Sequence, residues 1–96
     1  MLEKGKYEGF SNKQIVEELR SQGHNPILFP EEPNTHLDPH IHPQGHILVV
    51  IDGEMKVRLE DKEVKVSSGD QITIDSEVEH AAYFGENGCN YFWVEF

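Results

Sequence analysis

From residue 27 to residue 96 the chain is cut by turn-forming clusters about every ten residues. The breaks are Glu31-Glu32-Pro33-Asn34, Asp52-Gly53, Glu60-Asp61-Lys62, Ser67-Ser68-Gly69-Asp70, residues 75–79 and Gly85-Glu86-Asn87-Gly88. Glycine and asparagine accept the positive φ of tight turns, and aspartate and serine bond their own backbone there. A helix of ordinary length does not fit between such breaks. The segments left over are residues 27–29, 37–42, 47–51, 55–59, 64–66, 71–74, 80–84 and 90–96, rich in β-branched and aromatic residues. Eight short strands at this spacing predict an all-β sandwich or barrel. Asp52-Gly53 in particular reads as a hairpin turn.

The strands differ in how they are covered. Met55, Val57 and Leu59 alternate with Lys56, Arg58 and Glu60, the pattern of a strand with one wet face. Residues 47–51 are apolar at every position, the pattern of a strand covered on both faces. The last strand carries Tyr91, Phe92, Trp93 and Phe96, so it is aromatic on both parities. One of its two sets must line the interior.

A single helix is expected, ahead of the strands. Ser11 and Gln14 have the spacing of a capping box, and Ile15, Val16 and Leu19 form one apolar stripe. Gly23 is placed to end the helix and Pro26 to seal its exit, with Phe10 as a staple partner for Ile15. The expected organisation is an N-terminal segment over 1–26 and a β-barrel over 27–96, together one domain.

Charge and composition narrow the function. The formal net charge is −10, spread over several acidic turns. Such a surface repels phosphate backbones and anionic lipid, so neither nucleic acid nor membrane is expected as a partner. The longest apolar run, residues 47–51, is far too short to span a bilayer. The first residues lack the apolar core of a signal peptide, and a lone Cys89 fits a reducing compartment, so a cytoplasmic location is expected. Cys89 itself reads as a small core or turn residue.

The chemistry concentrates in His40-Ile41-His42-Pro43-Gln44-Gly45-His46. Side chains two apart on a strand share a face, so His40 and His42 project together. Gln44 and His46 keep that parity if Pro43 and Gly45 preserve the register. Converging imidazoles suit Zn, Cu, Fe and Ni. His80 is a further candidate that only the fold can bring in, while His24 and His36 read as surface residues.

This stretch resembles the first motif of the cupin superfamily, a His-x-His followed after three or four residues by Glu and, six residues later, by Gly. Here the run is His40, His42, His46 and Gly53, with His at the usual Glu position and no upstream Gly. The stretch from Gly69-Asp70 to His80 is similar to the second motif, with Asp75-Ser76-Glu77 in place of Pro-x-Gly and Phe84 in place of the terminal Asn. The resemblance implies a cupin-type jelly-roll β-barrel holding one divalent ion, among Fe, Mn, Ni, Cu and Zn, on His40, His42, His46 and His80. It implies a metal-dependent enzyme, a dioxygenase or isomerase acting on a small oxygenated molecule. The alternatives are a non-enzymatic sensor or ligand-binding module, and a structural metal site.

Four neutral imidazoles leave the full charge of the cation on the site, which favours an anionic chelating ligand. Gln44, Leu48 and Phe84 are candidates to line the pocket. His46, Leu48 and Val50 should face the interior, so Ile47, Val49 and Ile51 need an outer cover. The single helix looks too narrow to cover the last strand as well. A homodimer with these faces at its interface is therefore expected.

Overall fold

The computed structural model describes all residues, Met1–Phe96. Its elements are β1 (Leu2–Glu3), α1 (Asn12–Ser21), β2 (Ile27–Glu31), β3 (His36–His40), β4 (His46–Leu59), β5 (Lys62–Ser67), β6 (Gln71–Ile74) and β7 (His80–Glu95). Every pairing is antiparallel. No helix is long and apolar enough to cross a membrane.

Two strands are far longer than expected, and they make the fold. The first half of β4 pairs with β6 and with the second half of β7, and the order continues to β1 on one side and β2 on the other. The second half of β4 pairs with β5 and with the first half of β7, which in turn carries β3. Each long strand thus belongs to two layers, as in a double-sheet jelly roll. Residues of both halves, among them Val50, Met55, Val57, Ile74, Ala82, Phe84 and Tyr91, form one buried core between the layers.

The crossing point corrects two turn assignments. Asp52-Gly53 is not a hairpin, and residues 85–88 do not end a strand. The β4–β7 register shifts between Val50 and Asp52 and again between Gly53 and Met55, so these residues form bulges. Gly53 (φ 78°) and Gly88 (φ 72°) take up the left-handed backbone there. The same glycine conformation serves a hairpin or a bulge, and only the partner strand decides which. β1, too short to leave a sequence pattern, was not anticipated.

The helix forms as its caps require. The Ser11 hydroxyl accepts from the Gln14 N–H at 3.1 Å, and the Gln14 side chain accepts from the Ser11 N–H at 2.8 Å. Gly23 (φ 87°) closes the C-terminus, with its N–H on the Arg20 carbonyl and that of His24 on the Leu19 carbonyl. Ile15 and Leu19 are buried with Tyr7 against Ile47, Val49, Phe92 and Val94. Phe10 stays half exposed and meets Tyr7 edge-on.

This packing revises the argument for a dimer. The helix and Tyr7 cover the outer faces of the first half of β4 and the second half of β7, including the last strand that the stripe looked too narrow to reach. The apolar residues left exposed lie elsewhere, notably Ile27, Leu28 and Phe29 on the edge strand β2.

The N-terminal segment is tied down by Asp70, which is buried. Its carboxylate accepts from the backbone N–H of Gly5 and Ser67 and from the Lys4 ammonium, at 2.8, 2.9 and 2.9 Å. Burial pushes this carboxyl up, but those three donors outweigh it and hold its pKa below the usual value.

Candidate metal centre

The histidines come together at one end of the sandwich. His40 ends β3, His46 opens β4 and His80 opens β7, with His42 in the loop between the first two. Cross-strand pairing sets His40 opposite His80. The β6–β7 loop is anchored where Glu77 donates its N–H to the His42 carbonyl at 2.8 Å. Pro39 and Pro43 keep the backbone around the pair extended. On the other side Gly45 exchanges two backbone hydrogen bonds with Phe96, at 3.0 and 2.9 Å, and the Phe96 ring lies where a Cβ on Gly45 would sit. The loop is therefore held from both flanks.

One nitrogen from each of His40, His42 and His80 lies within 4.8 Å of the others. Ring centroids are 4.7 Å apart for His40–His42, 4.3 Å for His40–His80 and 5.4 Å for His42–His80. His46 is 4.7 Å from His42 but 6.5 Å from His80, and its Nε2 is 3.5 Å from Glu95 Oε2. Its ring also leans on Trp93 at 5.2 Å.

The chemistry of this donor set fits a divalent ion. His40 Nδ1 is 2.6 Å from the Asp38 carbonyl, and His80 Nδ1 is 2.9 Å from that of Val78. A carbonyl only accepts, so Nδ1 bears a proton in each and Nε2 is the nitrogen turned toward ligation. Burial pushes the pKa of His80 down, and the neighbouring imidazoles push it further, against the Val78 carbonyl. Burial likewise lowers that of His46, helped by His42 and opposed by Glu95. Both rings are thus neutral at pH 7, the state ligation requires.

Below the histidines lies a cavity of about 100 Å³, lined mainly by apolar side chains. Leu48 and Phe84 are among its lining residues; Gln44 is exposed and is not. The last strand's parity is also resolved, with Tyr91 and Trp93 facing the cavity and Phe92 and Val94 facing the helix. His36 is exposed on the surface, and His24 is half buried beside Phe96. Glu95 was not singled out in the sequence. It shares the parity of Tyr91 and Trp93, a signal usable only once the inner set of that strand is known.

A double-sheet jelly roll with a histidine cluster at one open end defines a class of small β-barrel proteins. The cupin domain family (Cupin_2) matches residues 28–94, and the chain belongs to that family. No functionally curated protein matches the sequence. Among solved structures, a DUF861 family protein from Thermotoga maritima aligns over 100% of this chain and 98% of its own, with TM-score 0.71 and 15% identity. A cupin superfamily protein from Desulfitobacterium hafniense aligns with TM-score 0.66 and 13% identity, covering 72% of this chain. KdgF from a Halomonas species aligns with TM-score 0.61 and 22% identity, covering 75% of this chain and 72% of that one. The chain spans 62% of the Desulfitobacterium protein and 63% of a conserved Streptococcus pyogenes protein, less than two thirds of either. At these identities the likeness is one of fold. The chain is thus a cupin domain with a histidine cluster able to hold a metal ion.

Proposed function

We propose that this cupin is a metal-dependent enzyme acting on a small oxygenated organic molecule by oxidative cleavage or isomerisation. His40, His42 and His80 would hold one divalent ion, with His46 as the fourth donor. The observation that carries this reading is the convergence of three donors within 4.8 Å at the mouth of an apolar cavity. The ion would act as a Lewis acid on a chelating oxygen and, if redox-active, would supply electrons for oxygen chemistry. The chain's own part is to fix the imidazoles through Asp38 and Val78, to exclude water with the cavity wall, and to place Glu95 at the mouth as the one carboxylate beside His46.

Metal content of untagged protein, measured for His42→Ala, His80→Ala and His36→Ala, tests the site. The first two should lose most of the metal and, with it, the stabilisation that binding gives by mass action. His36→Ala should keep both. Equal metal in all three would end the proposal. Oxygen uptake or substrate turnover with Fe(II) or Mn(II) then tests the enzyme.

A ligand-binding module without turnover is the second reading. It is favoured by the lack of any acid–base side chain deeper in the cavity: Tyr91 is there, but its hydroxyl donates to Glu31 at 3.0 Å, and burial and Glu31 both push its pKa up. We also infer a homodimer, now through the β2 edge, because Ile27, Leu28 and Phe29 are exposed on a strand with a free side. Light scattering at micromolar concentration should give twice the mass of one chain, and a single-chain mass would refute it.

A further inference from the structure

The cavity under the histidines is chemically lopsided. Its imidazole nitrogens sit at the mouth beside the Trp93 indole, whose ring leans on His46 at 5.2 Å, and the wall below is built of side chains such as Leu48, Met55, Val57, Ala82 and Phe84. No lysine or arginine lines it. Arg58, next to Val57, alternates to the outside of β4 and is exposed. The Tyr91 hydroxyl is already committed to Glu31. At about 100 Å³ the cavity is well below the ~300 Å³ of pockets for larger ligands.

We propose that this site selects a small chelating molecule with a short apolar tail, and rejects ligands carrying a second charged or hydrogen-bonding end. The selection follows from what each end of the ligand meets. The chelating head is satisfied at the mouth by the ion and the imidazoles. A tail of a few carbons fills the cavity and replaces its water with apolar contact. A carboxylate on that tail would leave water and meet no cation, and a hydroxyl would meet only the Trp93 indole N–H and the Tyr91 oxygen, too few partners to replace its water in a wall otherwise apolar. Sugar acids and phosphate esters, whose far ends need a basic partner or several hydrogen bonds, find no basic group here. The inference rests on the metal-binding reading, and it adds the identity of the ligand's other end.

The test uses three 2-hydroxy acids with one chelating head and different tails: 2-hydroxybutyrate, glycerate and malate. Binding to the Ni(II)-loaded protein is followed by calorimetry, after metal uptake has been measured. 2-Hydroxybutyrate should bind about tenfold tighter than glycerate, and malate should bind no tighter than glycerate. Ala82→Leu, and the milder Ala82→Val if the first does not fold, should narrow the cavity, keep the metal and erase most of that preference. Normal metal uptake with equal affinity for the three acids, or a preference for malate, would overturn the inference and leave the metal site standing. Failure to take up metal would overturn both.

Discussion

His46 and Glu95 face each other across β4 and β7, with Nε2 and Oε2 3.5 Å apart at the mouth of the histidine cluster. A site counted on its imidazoles alone would carry the whole charge of a divalent ion. With an ion bound, the Glu95 carboxylate beside it would remove part of that charge, incompletely because its side chain is 46% exposed. The expected pull on anionic chelators is correspondingly weaker. Glu95→Gln should therefore leave metal content unchanged and raise oxalate affinity of the metal-loaded protein by roughly three- to tenfold, on the order of 1 kcal/mol. Calorimetry at low salt checks it, and an unchanged affinity would show that Glu95 does not reach the site's field.

His46→Glu restores the carboxylate that cupins usually carry at this position. In this chain it would stand opposite Glu95, and like charges directly across a strand pair repel. The variant should keep metal but be less stable than the parent without it. Adding Glu95→Gln should recover most of the loss, as denaturant titrations of the metal-free proteins would reveal.

Asp70 gives a pH signature remote from the histidines. Its folded pKa lies below its ordinary value, so the folded state holds fewer protons than the unfolded one in this range. Its contribution is complete above about pH 4 and is lost as pH falls through the lower folded value. Asp70→Ala would orphan the Gly5 and Ser67 N–H groups and should cost about 1–3 kcal/mol at pH 7. The gap to the parent should shrink below pH 4; a gap that is constant from pH 7 to pH 3 would contradict the role given to ionised Asp70.

Cys89 should be inert while the protein is folded. It is buried, and burial, with Glu31, Asp52 and Glu54 nearby, pushes its thiol up to about 12. At pH 8 only about one thiol in ten thousand would be ionised. Mass spectrometry after iodoacetamide treatment should show no adduct on native protein and full labelling in urea. Ready labelling of the folded protein would count against this burial.

Much of the architecture was legible because it depends on local periodicity. Ser11, Gln14 and Gly23 announce the helix and its two ends, and the parity of Leu48 and Val50 against Ile47 and Val49 gives the two faces of β4. The spacing of His40 and His42 points to a donor pair without knowledge of the fold. What sequence periodicity does not carry is pairing across the sheet. Gly53 was misread because its partner strand decides between turn and bulge. Glu95 was missed because its neighbour His46 is brought up only by β4–β7 register. The reach of the helix over Phe92 and Val94 depends on how closely β4 and β7 lie side by side, which no stripe on the helix encodes.

Gly53→Ala should be among the costliest small changes in the chain. A Cβ there would run into the Gly88 carbonyl oxygen, which is backbone and cannot rotate away, and the φ of 78° is already unfavourable for alanine. A loss of more than about 2 kcal/mol is expected in denaturant titration. Gly45→Ala meets first the exposed Phe96 ring, a side chain that can swing aside, and should cost clearly less.

Because β4 and β7 each run unbroken from one layer into the other through the Gly53–Gly88 corner, neither layer can detach while the other stays folded. The helix-covered layer and the layer facing it across the cavity should then form a single cooperative unit of opening. Hydrogen exchange should see this directly: the amides of Val49 under the helix and Val57 beside the cavity should open at the same free energy, that of global unfolding. A cavity wall that opens only when the whole protein does would admit ligands through the histidine mouth and nowhere else.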